Sequence, residues 1–208
     1  MEILVVIFIV SYLIGSISGG IIVGKIKNID ILNEGSKASG ATNVFRTIGI
    51  ASAFVVLFID VYKGYFSVKY LPQLFEFQNS FISQIIAGSG SIIGHVYPIY
   101  FKFKGGKGVG TALGTLIGIH GLSNVIFTAL ATWIISLLMT GYVGLSSIIG
   151  ALSIPIHNII ELRTFDTITF YSIAILFFVI YTHKDNISRM IRGDENQFKK
   201  IMLRNLFK

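Results

Sequence analysis

Residues 109–139 read VGTALGTLIGIHGLSNVIFTALATWIISLLM, a run of about 31 residues without one Asp, Glu, Lys or Arg. A helix needs about 20 apolar residues, at about 1.5 Å each, to cross about 30 Å of hydrocarbon, so the run is too long for one ordinary span and short for two. Charge bias decides its parity. If the run turns near His120-Gly121-Leu122-Ser123-Asn124, Lys25, Lys27, Lys37 and Arg46 share one side of a membrane with Lys102, Lys104 and Lys107. The tail's Lys184, Arg189, Arg192, Lys199, Lys200, Arg204 and Lys208 then join them, leaving only Lys63, Lys69 and Arg163 elsewhere. A single crossing would put the tail opposite the other basic loops, against the tendency of Lys and Arg to stay cytoplasmic. Two short helices are therefore expected, with the N-terminus outside and the C-terminus cytoplasmic.

The rest of the chain agrees with a membrane setting. Of its 208 residues 53% are hydrophobic and 13% charged, whereas soluble domains carry roughly a quarter charged residues. Apolar blocks near 3–24, 50–71, 80–101, 109–120, 123–139, 143–160 and 167–182 predict an all-α integral membrane protein, a compact bundle of about seven transmembrane helices followed by a basic cytoplasmic tail over 183–208. Residues 1–208 are read as a single membrane domain, with function confined to loops and span ends. The first block lacks a basic leader and an Ala-x-Ala site, which favours a retained span over a removed signal peptide. Cysteine is absent, which excludes disulfides, thiolate catalysis and Cys-ligated metal. Glycines at Gly15/Gly19, Gly20/Gly24, Gly90/Gly94 and Gly110/Gly114/Gly118 recur every four residues, a spacing that lets helix backbones approach closely.

The inferred topology gathers four polar clusters on the cytoplasmic face: GSKASGATNVFR (35–46), KFKGGKG (102–108), GYVGLSS (141–147) and HKDNISR (183–189). In the second, glycine N–H groups that point inward, a helix start and a lysine make an anion site. The sequence departs from the nucleotide P-loop G-x-x-x-x-G-K-[ST], because Lys107 is followed by Gly108, and from G-x-G-x-x-G, because Leu113 takes the last place. A nucleotide is not the favoured anion. The alternative is a basic anchor that only sets topology, and it stays open for this loop alone. In the first cluster Arg46 supplies a planar fork suited to bidentate phosphate recognition, although a small-residue turn between spans is also common.

In the tail, His183, Asn186 and Arg189 follow a spacing that shares one helix face; a basic helix lying on anionic lipid is the alternative and suits Lys199, Lys200, Arg204 and Lys208 better. Asp60 and Lys63 fall within a span, where ionisable groups face the bundle interior, as a structural pair or as a wall of the site. His120 and His157 are read as structural. There is no G-x-S-x-G, no H-E-x-x-H and no His-x4-Asp. Phosphate binders without a ready nucleophile suit an already activated substrate, with the protein supplying position and electrostatics.

GSKASGATNVFRTIG, GHVYPIYFKFKGGKGVGT, TGYVGLSSI and HKDNISRMIRGDE, with DVYKG in the second block, together resemble the signature segments of the bacterial acyl-phosphate:glycerol-3-phosphate acyltransferases, in the same order, from about Gly15 to Glu195. The resemblance implies a seven-helix inner-membrane protein that moves a fatty acyl group from acyl-phosphate to the 1-hydroxyl of glycerol 3-phosphate. The products are lysophosphatidic acid and inorganic phosphate, with no cofactor, no metal and no nucleic-acid partner, in a monomer that contacts membrane lipids. It further implies that Ser36, Arg46 and the backbone at Gly105, Gly106 and Gly108 bind phosphate, with Lys107 as a cationic clamp. Thr42 and Asn43 shape the first loop, and Gly35, Gly40 and Lys104 belong to the same substrate-binding set. Ser147, His183 and Asn186 line the pocket and Glu195 closes it. Lys107, His183, Asn186, Ser36 and Arg46 form the catalytic group.

One departure stands out. The family pattern G-S-x-N-x-G-A-T-N carries Ala38 in place of its first Asn, which removes two donors and an acceptor. A changed acceptor, a paralogue for another phosphorylated alcohol or a loss of activity would each follow from it. A transporter of a phosphorylated small molecule is the reading from another class, with Asp60 and Lys63 as its only midplane candidates.

Overall fold

The computed structural model describes residues 2–75, 81–121, 123–162, 166–198 and 202. Every regular element among them is helical, and they fall into two compact units, Met1–Gly121 and Leu122–Lys208.

The first unit holds α1 (Glu2–Gly15), α2 (Gly19–Ile26), α3 (Ala41–Thr47), α4 (Ile50–Leu74), α5 (Phe81–Val96), a single 3-10 turn at Ile99–Phe101 and α6 (Val109–His120). α1 packs on α5, and α4 packs on both α5 and α6. The four-residue glycine spacing sits at these contacts. A Cβ on Gly15 would collide with the Ser91 carbonyl, and one on Gly114 with that of Val61; backbones this close gain dispersion energy that larger side chains would hold apart.

Two apolar blocks are shorter as helices than as patterns. The first breaks between Gly15 and Gly19, because Ser18 accepts the Ile21 N–H at 3.4 Å and caps a new helix, an arrangement that competes with a continuous backbone ladder. The block at 80–101 stops being α-helical at Val96, two residues before Pro98, as a proline disfavours helix in the residue before it.

The second unit holds α7 (Asn124–Thr140), α8 (Val143–Leu162), α9 (Thr167–Thr182) and α10 (Lys184–Arg192), with α8 packed against the other three. The apolar run 109–139 thus contains the end of one unit and the start of the other. Gly121, at φ 69° and ψ −161°, closes α6, a positive-φ backbone that glycine adopts without a Cβ penalty. α9 and α10 meet at a 54° bend.

By length and composition, Glu2–Ile26 taken through its break, Ile50–Leu74 and Val143–Glu161 are long and apolar enough to cross a membrane; the bent pair Thr167–Thr182 and Lys184–Arg192 makes a fourth if counted as one span. Phe58, Ile160 and Phe177 are exposed, as side chains that meet lipid rather than water would be. Lys199, Lys200, Arg204, Lys208 and Arg163 lie outside the described residues.

Candidate functional site

In the first unit, the chain between α2 and α3 is a turn-rich loop organised by one buried amide. Asn43, 2% exposed, accepts the Ser36 N–H on Oδ1 at 2.8 Å. Its Nδ2 donates to the carbonyls of Ile31 at 3.1 Å, Glu34 at 3.0 Å and Ala38 at 2.9 Å. Gly35 adopts φ 57°, and a Cβ there would collide with Asn43 Oδ1, so the residue type follows from the hub. Gly40 caps α3 with its carbonyl, accepting from Asn43 and Val44 at 3.0 and 3.2 Å. Thr42 and Arg46 follow on α3, both half-buried, and Ser36 is half-buried in the turn. Beneath the loop, Ile31 and Val44 join Ile21, Val23, Ala53 and Val56 in an apolar cluster, with Phe101 packed against it. That contact carries the first loop onto the second.

The second loop begins at the 3-10 turn. Lys102 and Phe103 are left-handed, at φ 53° and 58°, which reverses the chain into Lys104-Gly105-Gly106-Lys107-Gly108. The Gly105 carbonyl accepts the Ser39 N–H at 3.3 Å, and the Gly106 N–H donates to the His95 carbonyl at 3.1 Å. Lys104 is exposed, Lys107 half-buried, and Gly106 and Gly108 are buried. Gly108 caps α6 at φ 83°. Lys107 therefore sits one residue before the positive end of a helix dipole, where an anion is stabilised by unpaired N–H groups and a cation together.

The second unit assembles the tail. The Asn186 amide donates to Glu195 Oε1 at 2.8 Å and Arg189 Nε to Glu195 Oε2 at 2.7 Å, so one buried carboxylate holds both. A Cβ on Gly144 would come within 3.0 Å of Asn186 Cβ, which is how closely α10 lies on α8. His183, at the α9–α10 bend, places Nδ1 2.8 Å from the Val179 carbonyl. A carbonyl only accepts, so Nδ1 carries a proton. Ser147 is employed in its own unit, donating to the Val143 carbonyl at 2.9 Å and accepting the Trp133 indole N–H at 3.3 Å.

Each unit thus gathers part of the expected set. Gly35, Ser36, Gly40, Thr42, Asn43 and Arg46 are joined to Lys104, Gly105, Gly106, Lys107 and Gly108 through Ser39 and Gly105; His183, Asn186 and Glu195 are joined through α10 and its following turn. Sequence reasoning missed His95, whose only signal was the need of Asp60 and Lys63 for a buried partner. It also missed Ser39, whose buried hydroxyl has no hydrogen-bond partner among the described residues. No cluster of His, Asp or Glu among the described residues is arranged to hold a metal ion.

Comparison with known proteins gives concordant matches. A family model described as glycerol-3-phosphate acyltransferase matches residues 5–193. A relative of that name from Prochlorococcus marinus strain MIT 9312 is 37% identical over 94% of this chain and 98% of its own length. Crystal structures of PlsY (YgiH), an integral membrane glycerol 3-phosphate acyltransferase, are 33% identical and cover 99% of both chains; the TM-score is 0.84 for the glycerol 3-phosphate form and 0.83 for the lysophosphatidic acid form.

Proposed function

The chain belongs to the glycerol-3-phosphate acyltransferase family, and from that premise we propose that it transfers a fatty acyl group from acyl-phosphate to the 1-hydroxyl of glycerol 3-phosphate, releasing lysophosphatidic acid and inorganic phosphate. The observation that carries this reading is the Ser39–Gly105 bond, which ties two phosphate-type turns into one structure at the start of α6. Both substrates are phosphate esters or anhydrides, and both want N–H groups and cations of this kind.

In the step itself, the 1-hydroxyl oxygen attacks the acyl carbonyl, the bond from that carbon to the phosphate oxygen breaks, and phosphate departs with the electron pair. An acyl phosphate is a mixed anhydride, so its leaving group needs little help and can take the hydroxyl proton. His183 is the protein group assigned to take it instead. Lys107, Arg46, Ser36, Asn186 and His183 are assigned to the reaction. Gly35, Gly40, Thr42, Asn43, Lys104, Gly105, Gly106, Gly108, Ser147 and Glu195 are assigned to binding substrate and shaping its site.

The same reading gives a monomer with seven spans in a bacterial inner membrane, its N-terminus outside and its basic loops and tail cytoplasmic. The chain has no native cysteine, so single cysteines placed at Lys37, Lys104 and Arg192 report sidedness directly by membrane-impermeant labelling. The activity is tested with purified protein, acyl-phosphate and labelled glycerol 3-phosphate; folded protein that makes no lysophosphatidic acid would overturn it. A transport reading is less well supported, because Lys63 is fully engaged by neighbours inside the first unit.

A further inference from the structure

Asp60, Lys63 and His95 form a closed set in the first unit, next to the glycine turn. Lys63 Nζ lies 2.9 Å from Asp60 Oδ1, 2.8 Å from the Ile17 carbonyl oxygen and 2.9 Å from His95 Nδ1. One ion pair and two hydrogen bonds engage the ammonium, and the three residues are 3–4% exposed. An ammonium only donates, so Nδ1 offers its lone pair and the ring proton resides on Nε2. The 3.3 Å approach of Nδ1 to the same Asp60 oxygen follows from both atoms converging on one ammonium.

The other edge of the ring faces the loop. A Cβ on Gly106 would collide with His95 Nε2, and one on Gly105 with the His95 carbonyl, which already accepts the Gly106 N–H at 3.1 Å. Among the described residues Nε2 has no hydrogen-bond partner. Burying an ion pair costs several kcal/mol per ion before pairing, and apolar residues of similar volume often do as well or better. Stability alone is therefore a poor reason for this set, whereas a fixed ring beneath a glycine turn is a good one.

We propose that His95, locked by Lys63 and Asp60, is a positioning residue for the phosphate-binding turn: it sets the Gly105–Gly106 main chain so that Lys107 and the first amides of α6 meet a substrate phosphate in one geometry. This rests on the acyltransferase reading, and the phosphate is that of glycerol 3-phosphate or of acyl-phosphate.

The test uses the full chain in lipid nanodiscs with His95→Asn and His95→Gln. The asparagine keeps an acceptor for Lys63 but no longer reaches Gly106, while the longer glutamine returns an N–H towards the turn. KM for one substrate is expected to rise about tenfold in His95→Asn, with kcat within about twofold and with partial recovery in His95→Gln. The substrate whose KM moves identifies the phosphate. Wild-type KM for both substrates in folded His95→Asn overturns the proposal, as does a loss confined to kcat or to the amount of folded protein. If His95→Asn does not fold, His95→Gln carries the same comparison, with a wild-type KM for both substrates overturning it. An inactive wild type would instead sink the acyltransferase reading; then the rise in unfolding temperature caused by glycerol 3-phosphate or inorganic phosphate, lost in the variant and present in wild type, still reads the role of His95. An equal rise in both would refute it.

Discussion

The Ser39 N–H donates to the Gly105 carbonyl across 3.3 Å, and that bond joins the turn leading into α3 to the turn leading into α6. A residue added to either should be felt in both. Gly105→Ala would set a methyl group against the His95 carbonyl and 2.7 Å from Pro98 Cδ. We expect kcat/KM to fall at least about tenfold, with overpacking of about 1–3 kcal/mol. Steady-state kinetics and thermal unfolding of the purified variant check both; an unchanged kcat/KM would show that the turns are independent.

Asn43→Ala removes the hub of the first loop and strands the Ser36 N–H and three carbonyls. A loss of about 2–4 kcal/mol is expected from the unsatisfied groups together with the missing amide. Asn43→Asp should be no rescue, because it turns a carboxylate towards three carbonyl oxygens. Urea or thermal unfolding in detergent reads the stability, and protein of wild-type stability in either variant would remove the hub role.

Lys107→Ala and Arg46→Ala should each lower kcat/KM about a hundredfold, the scale of losing one charge-stabilising donor at a transition state, with unchanged unfolding temperature. Lys102, exposed and left-handed at the turn, is expected to act as an anchor, so Lys102→Ala should stay near wild-type activity. Near-wild-type rates in both Lys107→Ala and Arg46→Ala would withdraw the site assignment.

Glu195→Ala unties Asn186 and Arg189 together, and a buried amide without its acceptor costs about 1–3 kcal/mol. Asp194 provides the control next door: its pairing with Arg192 at 3.4 Å is well exposed, and exposed pairs contribute little. Thermal unfolding should separate the two variants, Glu195→Ala lowering the midpoint and Asp194→Ala leaving it in place. Equal midpoints would mean that the Glu195 contacts do not hold the tail.

Ala38→Asn installs the residue that the family resemblance implies at this position. The Ala38 carbonyl is already engaged by Asn43, so the frame of the loop should persist and only side-chain recognition should change. An acceptor screen with glycerol 3-phosphate and other phosphorylated alcohols is expected to show a shift in preference of about tenfold. Identical profiles for the two proteins would leave Ala38 without a part in acceptor choice.

Much of this was legible in the chain because apolar periodicity and glycine spacing are local signals. The helix break in the charge-free run reads directly from Gly121, Ser123 and Asn124, and the close helix contacts from Gly15 and Gly114. What stayed hidden depends on distant partners. Nothing local to His95 announces Lys63 or Asp60, which are about thirty residues away in sequence. The resemblance places Glu195 at the pocket, but nothing local in the tail announces that it would collect both Asn186 and Arg189, which needs the chain after α10 to fold back. The break at Ser18 was obscured for another reason: serines inside an oily block satisfy backbone groups that a pattern of hydropathy does not count.

Asn43 grips its loop by main-chain oxygens at Ile31, Glu34 and Ala38, and every amino acid has such an oxygen. The Ala38 side chain is thereby released from holding the shape it rides on, whereas Asn33, bonded to Asp30 at 2.7 Å, and Leu32, packed on the apolar cluster, are not. A grip on main-chain oxygen is blind to the side chain at 38, so the loop can keep its frame while the chemistry it presents there changes.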